Sequence, residues 1–100
     1  MKVFNKHHNN APPDAVYVGR PTIFGNPFTH LKGKGHDSLI HVETRAQAVK
    51  KYREDFEDRL TDPVFRGALE GLRGKDLVCW CFPFSCHAEV IIEYLERTQN

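Results

Sequence analysis

The chain lacks any apolar run approaching the roughly 20 residues that a membrane-spanning helix needs, so a transmembrane helix is excluded. It also has little net charge, +1 over 100 residues. A face built to hold a nucleic-acid backbone by counterion release is therefore disfavoured. Cysteine is scarce, at three residues, and the opening MKVFNKHHNNAPP has no apolar stretch that could serve as a signal-peptide core. The expectation is a cytoplasmic protein whose thiols are reduced. No internal repeat or low-complexity segment is present. What remains is ordinary for a globular domain, 40% apolar and 27% charged. One hundred residues allow a single domain with one modest core.

The order of elements follows from local signals. Residues 1 to 14 are polar, with Asn9, Asn10, Pro12 and Pro13 close together, and read as an irregular arm in which Val3-Phe4 can form a short edge strand. Ala15 to Val18 is a β-branched and aromatic run bounded by Asp14 and Gly19, which predicts a strand. The prolines and glycines of GRPTIFGNPF then forbid a continuous helix or a central strand, and predict a shaped loop. Residues 29 to 38 read as a mobile loop, and Leu39 to Val42 as a short strand.

Thr44-Arg-Ala-Gln47 matches a capping box, and Val49, Tyr52, Phe56 and Leu60 follow at helical spacing. Lys50, Lys51, Glu54, Asp55, Glu57 and Asp58 lie mostly off that stripe and form a solvated face. Asp62-Pro63 starts a second helix, with Val64, Ala68, Leu69 and Leu72 as its stripe and Gly74 as its terminal glycine. Leu77 to Cys81 is apolar throughout, the pattern of a covered strand. A last helix from about Cys86 buries Val90, Ile91, Tyr94 and Leu95. The fold class is α/β: a small single-domain sheet with three helices, its central strand at about 76–81 followed by the C-terminal helix.

All three cysteines fall within LVCWCFPFSCH, and zinc, a reactive thiol and a plain buried strand all compete to explain them. On a strand, Cys79 and Cys81 share a face with Cα atoms about 6.6 Å apart, at a rise of about 3.3 Å per residue. That splays the thiols for a disulfide and fits a zinc knuckle poorly. Cys79, Cys81, Cys86 and His87 nevertheless supply four ligands of the right kind, and zinc stands as the alternative to a chain without cofactor. Against it, Cys86 and His87 are adjacent and point about 100° apart at a helix start. Cysteine at such a start is shifted toward thiolate, and the same unpaired amides receive anions. Cys86 and His87 are thus the candidate reactive pair, while Cys79 reads as core.

A second constellation lies in GRPTIFGNPF. Arg20 follows a strand directly and offers a planar fork suited to phosphate or carboxylate. Gly25-Asn26-Pro27 is a tight turn whose asparagine serves its own backbone or a ligand. Phe24, Phe28 and Tyr17 read as core, and the pair His7-His8 as solvated.

The segments FNKHHNNAPPDAVYVGRPTIFGNPF, TRAQAVKKYRED and LRGKDLVCWCFPFSCHAEVI resemble the family catalogued as domain of unknown function 4326. The motifs are GRPTxxGNPF and LVCWCxPxxCHA, and the resemblance spans nearly the whole chain, residues 29 to 43 being the least characteristic. It implies a small phage or bacterial protein and brings no mechanism with it. The strand, proline turn and Cys-His unit is also similar to domain of unknown function 488. Ala88 stands where that family has an arginine, so any role of that arginine is either absent here or supplied elsewhere, with Arg20 as the candidate.

The combined expectation is a pocket at the strand ends, where Arg20, Gly25 and Asn26 bind an anionic small molecule, a nucleotide or phosphorylated sugar derivative. Cys86 and His87 would act in hydrolysis or transfer if the ligand is turned over. The competing expectation is a non-catalytic interaction module for a protein partner, with structural cysteines and with or without zinc.

Overall fold

Period-two alternation decides which side of an extended run is buried, and around residue 78 it sorts the chain cleanly. The computed structural model describes residues 1–8, 10–20, 22–29, 39–80 and 87–98. Its elements run β1 (Val3–Asn5), a 3-10 turn (Lys6–His8), β2 (Val16–Tyr17), β3 (Phe28–Thr29), β4 (Ile40–His41), α1 (Arg45–Arg59), α2 (Pro63–Glu70), β5 (Leu77–Cys79) and α3 (Ala88–Arg97). This is the α/β class with three helices that the sequence implied.

β5 is the centre of a three-stranded sheet ordered β1-β5-β2, parallel to both neighbours. Leu77 and Cys79 are fully buried on its core face, while Val78, pointing the other way, is half-buried. Trp80 falls on the Val78 side and is 47% exposed. It is therefore not a core residue, because it lies on the face away from the helices, one residue past the end of the strand. The arm at the start of the chain contributes β1, the edge strand foreseen at Val3-Phe4 and one residue longer. Lys2 fixes its register at the amino end: its amide donates to Asp76 Oδ1 at 2.8 Å and its carbonyl accepts from Leu77 N at 2.8 Å.

Helix starts are where the sequence spoke most clearly. Thr44 accepts from Gln47 N while Gln47 Oε1 accepts from Thr44 N, the reciprocal capping box of α1. Asp62 Oδ1 accepts from Val64 N at 2.9 Å, with Pro63 at the first helical position of α2. The stripe of α2 differs from the expected one. Phe65, Leu69 and Leu72 are buried and Val64 is 76% exposed, because the i, i+4, i+7 series that meets α1 and α3 begins at Phe65. α2 ends at the Gly71 cap, so Gly74 is not its terminal residue. At φ 80° it instead closes a turn in which Lys75 N donates to Leu72 O.

The core gathers Val18, Tyr52, Phe56, Phe65, Leu69, Leu77, Ile91 and Leu95, so all three helices cover one face of the sheet. Arg73 binds the end of α3, donating to Leu95 O at 2.7 Å and Thr98 Oγ1 at 3.0 Å while it pairs with Glu70. Arg53 joins α1 to α3 through Glu93. β3 and β4 form a separate parallel pair, with β3 packed on α1. No helix among the described residues is long and apolar enough to cross a membrane.

Truncating the central strand should be costly and truncating the exposed start of α2 should not. Leu77→Ala is expected to lower the unfolding free energy by about 2–5 kcal/mol in urea denaturation, against a change within about 0.5 kcal/mol for Val64→Ala. The Arg53 and Arg73 guanidinium groups hold the Glu93 and Glu70 carboxyls below the usual carboxylate range through their hydrogen bonds. Because these carboxylates keep off protons to lower pH in the folded chain, their contribution is complete near neutrality and is lost as pH falls through the carboxylate range. Glu93→Gln should flatten that acid limb of a Tm-against-pH profile, and an unchanged limb would deny the pair a role.

Candidate functional site

Three parallel strands end on one edge, and the residues that leave that edge come from distant parts of the sequence. Asn5 pairs with Cys79 and Tyr17 with Val78, so Lys6, Trp80 and residues 18–20 emerge side by side. Such carboxyl-end edges are where open α/β sheets receive ligands.

The indole of Trp80 organises this edge. Its Nε1–H donates to the Tyr17 hydroxyl at 2.9 Å, and that hydroxyl donates to the Arg20 carbonyl at 2.7 Å. The Lys6 ammonium lies 4.3 Å from the Tyr17 ring centre and 5.8 Å from that of Trp80, in cation-π range. The His7 ring stands edge-on to the indole, 4.5 Å between centres at 68°. Asn5 ties the turn down, its Nδ2 donating to Trp80 O at 3.2 Å and its Oδ1 accepting from His7 N at 2.8 Å. A methyl group at Gly19 would sit 2.6 Å from Tyr17 Cζ, so a larger residue there would push the ring from this place.

Arg20 is exposed at the end of β2, and its Nη1 donates to the Asn26 carbonyl at 3.2 Å. The loop that holds it is rigidly tied. Thr22 N donates to Gly19 O and Gly25 N to Thr22 O, both at 3.0 Å. A Cβ on Gly25 would lie 3.0 Å from Arg20 Cα, so glycine lets the loop close against Arg20. Asn26 Oδ1 accepts from Phe28 N at 2.9 Å and its Nδ2 donates to Ala48 O at 3.1 Å. Its amide thus serves the turn and anchors the loop to α1. Tyr52 donates to Phe24 O at 2.7 Å and Arg59 to Ile23 O at 2.9 Å, so α1 fastens the loop at three points.

His87, the N-cap residue of α3, is 6% exposed. Its Nε2 lies 2.7 Å from the Val18 carbonyl, which can only accept, so Nε2 carries the proton. Its ring meets Tyr52 edge-on at 5.0 Å. The contact brings the start of α3 beside the end of β2, two residues from Arg20. Ala88 is fully buried, so that position could not present an arginine to solvent without moving the helix.

Of the residues picked from sequence, Arg20, Gly25 and Asn26 share one loop, and His87 adjoins its first residues. Cys86 lies outside the described residues, as does Cys81, so the set Cys79, Cys81, Cys86 and His87 is described only at Cys79 and His87. Cys79 is fully buried on the core face of β5. Among the described residues no three His, Cys, Asp or Glu side chains form a group suited to a metal ion. Sequence reasoning read Tyr17 as core and His7 as solvated, and placed neither Lys6 nor Trp80 in a site. A depression of about 330 Å³ is lined by Val42, Glu43, Gln47, Lys50 and Lys51 at the start of α1. Its charges are mixed, and Gln47 is committed to the capping box.

A family model, Domain of unknown function (DUF4326), matches residues 3–97. The chain belongs to this family. The match takes in β1 at one end and α3 at the other, so the strand-end edge lies wholly within the DUF4326 domain. A relative is the uncharacterized 12.4 kDa protein in the nrdA-td intergenic region of Enterobacteria phage T4, 30% identical over 97 residues, which are 96% of this chain and 78% of the phage protein. No solved structure matches.

The buried histidine gives a direct check on the way α3 is tied to β2. His87→Phe keeps an aromatic ring against Tyr52 but removes the donor to Val18, and is expected to cost about 1–3 kcal/mol in chemical denaturation. Stability equal to wild type would show that the bond contributes nothing.

Proposed function

We propose that this DUF4326 protein binds an anionic small molecule, a nucleotide or phosphorylated sugar derivative, at the carboxyl-end edge of its sheet, in a cytoplasmic setting. The observation that carries the reading is that Lys6 meets a half-exposed tryptophan where three parallel strands end, with the loop that carries Arg20 tied to them through the Tyr17 hydroxyl. Lys6 and Arg20 make no ion pair among the described residues, so neither charge is neutralised by a neighbouring carboxylate there. Arg20 supplies a flat two-pronged donor and Lys6 a point charge, the two kinds of group that phosphates are held by.

Gly25 and Asn26 enter this reading as the residues that shape the loop behind Arg20. Hydrolysis or transfer through Cys86 and His87 is a separate proposal, to be tested by product formation from whichever ligand binds. In it His87 keeps its Nε2 proton on the Val18 carbonyl.

Thermal shift across nucleotides, sugar phosphates and inorganic phosphate tests the binding reading. A ligand at one hundred times its Kd adds about 2.7 kcal/mol, a rise of several degrees for a chain of this size. Arg20→Ala and Lys6→Ala should each shrink that rise without lowering the ligand-free Tm by more than a degree or two. Equal responses in variant and wild type, or none in any of them, would contradict the site.

A further inference from the structure

The orientation of Trp80 points to the class of ligand. This is the single tryptophan of the chain. Burying such a ring is one of the largest apolar gains open to a small domain, yet it stands 47% exposed. Nor is it loose. Its Nε1–H is fixed by Tyr17, whose own hydroxyl is fixed by the Arg20 carbonyl. The His7 ring walls one side at 4.5 Å, and the Asn5 side chain holds both the Trp80 carbonyl and the His7 amide.

A surface ring held by this many polar contacts has already lost the rotational freedom that binding would otherwise cost. The Lys6 ammonium lies beside it at 5.8 Å, while Arg20 meets the Trp80-Tyr17 relay through its backbone carbonyl and turns its guanidinium to the Asn26 carbonyl. A flat apolar platform with a phosphate-binding ammonium beside it, and a guanidinium on the adjoining loop, matches a molecule with a planar π-face at one end and a phosphate at the other.

We infer that the site takes a nucleoside phosphate, its base stacked on Trp80 and its phosphate toward Lys6 and Arg20, in preference to a sugar phosphate without a base. The inference rests on the anion site proposed above and narrows it. Base stacking on an aromatic side chain is sequence-tolerant, so purine and pyrimidine nucleotides should both bind, the larger purine more tightly.

The test compares adenosine monophosphate, ribose 5-phosphate and inorganic phosphate by calorimetric titration of wild type, Trp80→Leu and Tyr17→Phe. Tryptophan emission of wild type, excited at a wavelength beyond the tyrosine band so that it reports Trp80 alone, is followed in parallel. Adenosine monophosphate should quench that fluorescence and bind on the order of ten-fold or more tightly than ribose 5-phosphate, with the advantage abolished in Trp80→Leu. Tyr17→Phe, which keeps the ring but releases the indole N–H, should lose part of it. Equal affinity for adenosine monophosphate and ribose 5-phosphate in wild type would overturn the stacking inference and leave the anion site standing. Binding of none of the three would overturn both. Should Trp80→Leu fail to fold by circular dichroism, the wild-type comparison of the two phosphates decides on its own.

Discussion

Everything at the strand-end edge depends on β5 lying parallel to both β1 and β2. An antiparallel neighbour would carry its following residues to the opposite edge of the sheet, and Lys6 or Arg20 would be lost from the neighbourhood of Trp80. The register is set far from the site, at the amino ends, where Lys2 brackets Asp76 and Leu77. Val16 N and Val18 N donate to Asp76 O and Val78 O and do the same for β2. Once Val3 faces Leu77 and Val16 faces Leu77 from the other side, the three strands finish within about one residue of each other. The strands are very short, so their order is held by packing of Leu77 and Cys79 against the helices more than by the ladder itself.

The helices then serve the edge in different ways. α1 holds the loop after β2 by Ala48, Tyr52 and Arg59. That loop could not otherwise keep Arg20 in place, since it has little apolar burial beyond Phe24. α3 is joined to the same place by His87, whose imidazole spans from the helix start to the Val18 carbonyl. A buried histidine with its proton given to a backbone oxygen is first a fastening. It sets the distance between the start of α3 and the end of β2 before any chemistry is asked of it.

Elements with a local cause were legible in the sequence. The capping box at Thr44 and the Asp-Pro start at residue 62 are written in adjacent residues, and both helices begin where those signals stand. The central strand was legible from its apolar run, and its end was not. Trp80 looked like core because it is apolar, whereas it falls on the face of the sheet that the helices leave uncovered, one residue past the end of β5. Val64 and Phe65 could not be ranked for a related reason: both are apolar, and only the placement of α1 and α3 chooses Phe65. Arg20, Gly25 and Asn26 were placed together correctly, being neighbours in sequence. The cluster of Lys6, Tyr17 and Trp80 joins residues up to 74 positions apart and had no local signature. Even the low net charge was uninformative here, since it sums over the chain while the edge collects Lys6 and Arg20 without a carboxylate partner among the described residues.

The account turns on one place on the surface, and amide and indole chemical shifts read that place residue by residue. In a ¹⁵N-labelled sample titrated with adenosine monophosphate, the account predicts that the largest shifts fall on the Trp80 indole Nε1–H and on the amides of Lys6, His7 and Arg20. Largest shifts at Glu43, Gln47, Lys50 and Lys51, the depression beside α1, or no saturable shifts at all, would contradict it.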